Sequence, residues 1–317
     1  MCVYCRQEAL PPAGFLSENQ KTMFTVVSRI SPAKDISLIE VFAPRIASAM
    51  LPGQFVTVKP TAGSRSVSLP VMKINHQAGT IGLLVQAVDE ATALMVNNPE
   101  IFIFDRLTGP LGRPSLLADC NDRELVNSKL LFVAGGLGVA SALMQIEWLN
   151  NIGVKTDVLL TAPTKASLLF REQFEKNCRN VYLATDDGSV GFHGSVTQML
   201  GLLPTDQVKG YDLITTFGPL KMMKQVADFA LNHGFPATAG FVELLSATGL
   251  NGFRLDVGGE SMDVALEGPE FDARQVDFQH AISRSSISVS SAKDTAETVK
   301  LRGIPGIGLG EPVSKQA

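Results

Sequence analysis

The chain has little that could staple it or bind a metal: four cysteines, four histidines and one tryptophan in 317 residues. Cys2, Cys5, Cys120 and Cys178 are too scattered for a disulfide framework. Cys2-Val3-Tyr4-Cys5 is a C-x-x-C, but it supplies only two of the ligands a zinc or cluster site needs. Its simplest reading is an exposed, reduced pair. His76, His193, His233 and His280 stand alone, and no nucleophile–base pair or metal-ligand constellation is visible. No apolar run has the length of a membrane-crossing helix. The first residues also lack the charged-then-apolar pattern of a secretory signal. A net charge of −4 speaks against nucleic acid as the main partner, since phosphate binding needs concentrated Lys and Arg. The expectation is a soluble, cytoplasmic protein.

What is present is apolar residues and punctuation. Apolar residues make up 45% of the chain, enough for sizeable cores in two or three domains. The stretches Thr22–Ser28, Ile36–Ala43, Gln54–Lys59, Ser66–Ile74 and Thr80–Val88 are alternating or β-branched. They are separated by Pro32, Pro44, Pro52-Gly53 and Gly79, which predicts a small antiparallel barrel over 20–126 after an N-terminal extension, 1–19. From about 127 to 235 the pattern becomes strand–helix alternation. Leu130–Ala134 reads as a buried parallel strand. Val139, Leu143, Ile146 and Leu149 follow helical spacing up to Gly153. Further strands are expected at Val158–Thr161, Val181–Thr185 and Leu213–Phe217, with a helix over Leu220–Leu231, giving a doubly wound α/β domain. After 281 the chain is Ser-rich and then Gly-rich, so 281–317 is expected to be a flexible arm.

One glycine cluster carries chemistry by its position. Gly135-Gly136-Leu137-Gly138 lies between a buried strand and a helix, where glycine admits a dinucleotide and helix N-terminal amides attract phosphate.

In order along the chain, Pro52-Gly53-Gln54-Phe55, Arg65-Ser66-Val67-Ser68, Gly109-Pro110-Leu111-Gly112, Gly135–Gly138, Thr185-Asp186-Asp187-Gly188-Ser189 and Gly218-Pro219 with Met222 and Met223 resemble one family. It comprises the ferredoxin–NADP reductase-like electron-transfer subunits, such as that of dihydroorotate dehydrogenase and the small subunit of the NADH-dependent ferredoxin:NADP oxidoreductase. The resemblance covers about 22–280 and implies a β-barrel FAD domain, an NAD(P) domain and an iron–sulfur-type C-terminal subdomain. It places FAD against Arg65, Ser66, Val67, Ser68, Val85, Gln86, Ala87, Val88, Thr92, Gly109 and Gly112. Arg65 would neutralise the pyrophosphate with its guanidinium fork. NAD(P)H is placed against Gly135, Gly136, Gly138, Asp186, Asp187, Gly188, Gly218, Pro219 and Met222.

Three departures stand out. Ser141 replaces a Pro of the family's glycine loop. Thr161-Ala162-Pro163 stands where relatives often have Gly-Ala-Arg, with Lys165 close enough to substitute. Most telling, residues 236–280 keep Thr248-Gly249 and Glu267-Gly268-Pro269-Glu270-Phe271-Asp272 around a cluster loop that holds no cysteine. Asn251 and Phe253 stand near the expected Cys pair, Ala265 at the last Cys, and Ser246 where some members place an Asp. A cluster needs about four thiolates or close substitutes, so FAD and NAD(P)H are expected without an Fe–S centre. The function expected from the resemblance is a flavoprotein subunit that takes hydride from NAD(P)H and passes electrons to a larger oxidoreductase subunit. A non-catalytic scaffold or regulatory subunit of a redox complex, and a free-standing flavin reductase, remain the alternatives.

Overall fold

The computed structural model describes residues 23–203, 210–248 and 253–285. The N-terminal extension with Cys2 and Cys5, Asn251, and the arm beyond 285 lie outside them, as does the side chain of Ser246.

The first half builds β1 (Val26–Ala33), β2 (Ile36–Phe42), α1 (Pro44–Ala49), β3 (Phe55–Lys59), β4 (Val67–Asn75), β5 (Thr80–Gln86), α2 (Glu90–Asn97) and β6 (Arg106–Leu111). The six strands form one sheet in the order β1-β2-β5-β4-β3-β6, antiparallel at every pairing. Alternation along β2 turns Ile39 and Val41 inward, as a strand with one face on a core requires. β4 changes partner along its length: Val67–Pro70 pairs with β3 and Val71–Asn75 with β5. A bridge between Thr25 and Ile103 joins the two ends of the sheet. The curled sheet encloses Val41, Val56, Val58, Val67, Leu83, Val85, Met95 and Phe104.

The second half contains α3 (Asp122–Asn127), β7 (Leu130–Gly135), α4 (Val139–Asn151), β8 (Asp157–Ala162), α5 (Arg171–Asn177), β9 (Asn180–Thr185), β10 (Phe192–His193), α6 (Val196–Leu202), β11 (Leu213–Phe217), α7 (Leu220–His233), β12 (Ala237–Gly240) and α8 (Val242–Thr248). It ends in β13 (Arg254–Val257), β14 (Glu260–Asp263) and β15 (Glu270–Asp272). A seven-stranded sheet runs β10-β9-β8-β7-β11-β12-β15. It is parallel except for β15, which pairs antiparallel with β12. β7 is buried along its whole length, as a strand covered on both faces must be. β13 and β14 form a separate hairpin. Residues 278–285 are helical, so the helix runs through position 281.

The expected barrel plus doubly wound α/β architecture is what the chain forms. Two elements near the site were not apparent in the sequence. α2 follows β5 because Asp89 caps it: its carboxylate accepts the Thr92 amide while the Thr92 hydroxyl accepts the Asp89 amide, a reciprocal capping box. β12 is Ala-Thr-Ala-Gly, without the bulky residues that mark a strand. It is thin because a Cβ on Gly240 would lie 2.4 Å from the Phe217 ring.

Candidate functional site

Two cradles occupy neighbouring edges of the sheets. The first lies where β4 opens beside the end of β5. Arg65 and Ser66 are exposed just ahead of β4, and Val67 and Ser68 are buried at its start. Val85 is buried near the end of β5, Gln86 exposed, and Ala87 and Val88 lead to α2, with Val88 64% exposed. The Arg65 guanidinium pairs with the Asp89 carboxylate at the head of α2. This pair ties the two sides of the cradle together. Burial pushes the Asp89 carboxyl up, but the Thr92 amide and Arg65 outweigh it and hold the group below the usual carboxylate range. An anion thus sits on the guanidinium, and the donor chemistry is that of a phosphate or carboxylate site.

Other residues expected around the flavin also make contacts within the protein. Thr92 is buried at 2% exposure with its hydroxyl engaged in the cap of α2. Gly109 and Gly112 face protein: a Cβ on Gly109 would lie 2.7 Å from Val56 Cγ1, and one on Gly112 2.9 Å from both Phe55 and Pro269. Gln54 donates to the Gly112 carbonyl at 2.9 Å. The Arg113 amide donates to the Gly268 carbonyl at 2.6 Å. The turn after β6 is therefore fastened to the C-terminal segment.

The second cradle is at the C-terminal edge of the parallel sheet. Strand order reverses at β7, whose neighbours are β8 and β11; crevices at such a reversal are where doubly wound folds take ligands. Gly135, Gly136 and Gly138 leave β7 on one side, and Gly218 and Pro219 leave β11 on the other. The glycines are sterically required. A Cβ on Gly138 would lie 2.3 Å from the Phe217 carbonyl carbon, and one on Gly218 2.6 Å from the Gly135 oxygen. Thr161 at the end of β8 donates to the Met222 sulfur at 3.0 Å, so Met222 lines this edge while Met223 is buried at 1% exposure. Gly136, at φ 56, has the Pro219 ring as its nearest neighbour, 3.7 Å from an added Cβ.

Asp186, Asp187 and Gly188 lie at the same edge, on the loop after β9. The loop is knit to itself and to the end of β8: Asp187 accepts the Ser189 hydroxyl at 2.6 Å and its amide at 2.9 Å, and the Lys165 amide donates to Ser189 at 2.7 Å. Those Ser189 bonds draw the Asp187 carboxyl below its ordinary value. Ser141 is buried in the first turn of α4, and Pro163 offers its carbonyl to the Asp187 amide.

Sequence reasoning missed Glu243. This α8 residue brings its carboxyl to the Gly138 amide at the head of α4. Burial pushes the group up to about 7, against the opposing pull of that amide. The residue as a whole is half-buried, and Oε1 is buried without a donor among the described residues. α8 packs on both β4 and the Gly136–Gly138 turn, so it spans the two cradles. The only sequence signal was a lone acid in the apolar run Phe241–Leu245. A second buried acid, Glu270, accepts from Gln145 of α4 at 3.1 Å, and Ser115 donates to the Gln145 oxygen, also at 3.1 Å. Burial raises the Glu270 carboxyl as well.

The segment from Phe253 to Phe278 is packed with hydrocarbon. Phe253 and Ala265 are buried in one core with Phe241, Leu255, Val264, Phe271 and Phe278. The Arg284 guanidinium lies 5.3 Å from the centre of the Phe253 ring. Among the described residues no group of three or more His, Cys, Asp or Glu is placed to hold a metal ion. No described helix is long and apolar enough to cross a membrane.

A curled antiparallel sheet closed against a doubly wound sheet, with neighbouring cradles, is the architecture of a ferredoxin reductase-like flavoprotein. Among solved structures, the NADH-dependent reduced ferredoxin-NADP oxidoreductase has a chain that superposes with a TM-score of 0.74 at 24% identity, over 88% of this chain and 98% of that one. The ferredoxin reductase of carbazole 1,9a-dioxygenase shares the fold at a TM-score of 0.53 and 17% identity, over 67% of this chain and 65% of that one. A Clostridium beijerinckii protein known only as an uncharacterized protein in the adh 3' region is 32% identical over 267 residues, 84% of this chain and 90% of that one. The Thermotoga maritima homologue of the dihydroorotate dehydrogenase B (NAD(+)) electron transfer subunit is 28% identical over 262 residues, 82% and 89% of the two chains. No protein-family profile matches the sequence. The chain belongs to the ferredoxin–NADP reductase-like electron-transfer subunit family, whose members are NAD(P)H-dependent flavoprotein oxidoreductase subunits.

Proposed function

We propose that the chain is a cytoplasmic FAD-containing subunit that accepts hydride from NADH or NADPH and delivers electrons to a larger oxidoreductase subunit without an iron–sulfur cluster of its own. The observation that carries this reading is the juxtaposition of the two cradles: α8 packs against the strand that opens beside Arg65 and against the glycine turn of β7. When bound, the flavin supplies the chemistry, accepting a hydride and releasing electrons to the next carrier. The chain's own part is to hold and orient. Arg65 would hold the pyrophosphate, with Ser66, Val67 and Ser68 along one side of the cofactor and Val85–Val88 along the other. Gly135, Gly136, Gly138, Gly218, Pro219 and Met222 would admit the nicotinamide half of the nucleotide, with Asp186, Asp187 and Gly188 further along the same edge.

The absence of a cluster is supported by what fills the loop's position. Phe253 at 2% exposure and Ala265 at 7% stand where relatives place thiolates, and they are part of a continuous core. Loss of that relay leaves either a direct exit from flavin to partner or a subunit that no longer carries electrons. A specific observation favours the second reading: two internal carboxylates already occupy groups that would meet the cofactors' phosphates, Asp89 on Arg65 and Glu243 on the Gly138 amide.

Purified protein tests the proposal. It should be yellow from flavin, with iron and acid-labile sulfide near zero, and the flavin band should bleach on rapid mixing with NADH or NADPH. Bound flavin that neither nucleotide reduces would select the scaffold reading, and stoichiometric iron would refute the cluster-free one. Arg65→Ala should strip the flavin; unchanged content would remove Arg65 from the site.

A further inference from the structure

The Arg65–Asp89 pair lies within the proposed flavin site, and the argument here rests on that reading. Asp89 is the N-cap of α2, its Oδ1 taken up by the Thr92 amide at 2.9 Å and its Oδ2 paired with Arg65. Glu90 follows in the first turn. Helix N-termini and guanidinium groups both attract anions. In this chain the same place holds one arginine against two acids, and the nearer acid is seated on the guanidinium. The pair is only partly shielded, with side-chain exposures of 41% for Arg65 and 28% for Asp89, so it can open at modest cost. A pyrophosphate arriving at Arg65 must displace a tethered carboxylate and then sit beside its charge.

We infer that Asp89 competes with the cofactor's pyrophosphate for Arg65 and so makes flavin binding weaker and readily reversible. The exchange is purely ionic: the guanidinium passes from carboxylate to pyrophosphate, and Asp89 keeps its second contact, the cap of α2. Capping and competition can therefore be separated by substitution. Asn caps a helix as well as Asp but carries no charge, so Asp89→Asn removes the competitor and keeps the helix.

The experiment is titration of flavin-free full-length protein with FAD, followed by quenching of flavin fluorescence, for wild type, Asp89→Asn, Asp89→Ser and Arg65→Ala. Circular dichroism confirms that each is folded. Asp89→Asn is expected to bind FAD about three- to tenfold more tightly than wild type, the range that removal of a partly exposed ion pair and of a facing charge allows. Asp89→Ser should match it, and the gain should vanish when Arg65→Ala is combined with Asp89→Asn. Wild type that binds FAD while both Asp89 variants bind equally or more weakly would overturn the inference, because Asp89 would then be positioning Arg65. If wild type and the Asp89 variants all fail to bind FAD, the flavin reading of the site falls and the inference with it. Tighter binding that persists without Arg65 would also overturn it.

Discussion

The two cradles treat an acid in opposite ways. Beside the barrel, Asp89 is partly exposed, charged and paired, and its carboxyl is held low. Beside the parallel sheet, Glu243 is desolvated, opposed among the described residues by one amide, and its carboxyl is pushed up to about 7. The same functional group thus favours its ionised form at one edge and its neutral form at the other. Solvent access sets the sign, because desolvation penalises the charged form and a nearby guanidinium rewards it.

Three measurements break or sharpen this contrast. The largest effect is expected at the parallel edge, where Gly138→Ala would put a methyl 2.3 Å from the Phe217 backbone. Neither backbone segment can yield without separating β7 from β11, so the substitution should cost on the order of 3 kcal/mol or more in urea unfolding. Gly63→Ala, with nothing within 4 Å of the added methyl, is the control at the barrel edge. A loss in Gly138→Ala no larger than the control's would show that the glycine turn is loosely packed.

Next comes the pH dependence contributed by Glu243. A carboxyl raised in the folded state favours folding below its unfolded value of about 4.5 and loses that advantage as pH rises toward 7. The loss is at most about 3 kcal/mol by the linkage relation, and less because the residue as a whole is only half-buried. Glu243→Gln should flatten this part of the stability profile between about pH 4.5 and 7. An unchanged profile would move the titration elsewhere, with Glu270 the next acid to replace.

The smallest effect is at Asp89. Its lowered carboxyl stabilises the fold above the unfolded value and loses that contribution as pH falls through the carboxylate range. Partial exposure keeps this below about 1 kcal/mol. Asp89→Asn should remove it, lowering stability at neutral pH by less than about 1 kcal/mol and leaving the acid end of the profile unchanged, and high salt should mimic the substitution.

The architecture was legible because its signals are local. The uninterrupted run Leu130–Ala134, the helical spacing from Val139 and the alternation in β2 each state their own environment. The glycines were legible too, though not their packing: at Gly109 and Gly112 an added Cβ would meet Val56, Phe55 and Pro269, close approaches that no local spacing announces. Glu243 and the Asp89–Arg65 pair were hidden because tertiary approach creates them. No spacing within α8 says that its acid meets the Gly138 amide, and none in the loop before β4 says that Arg65 meets the cap of α2. β12 escaped for the reverse reason. Its residues are small to suit the ring of Phe217, and strand propensity responds to bulk.

The bond from the Arg113 amide to the Gly268 carbonyl has a consequence for the order of assembly. The turn that finishes the barrel leans on a segment made long after it, and β15 in the same stretch completes the edge of the other sheet. On the ribosome, the first half can gather its strands early yet must wait for residues 268–272 before its last turn is secured. Contacts so distant along the chain slow folding, and a half-finished barrel exposes apolar surface in the interval. A polypeptide released before this stretch would lack the closing piece of both sheets at once, so truncations on either side of it should divide sharply between recoverable and aggregated protein.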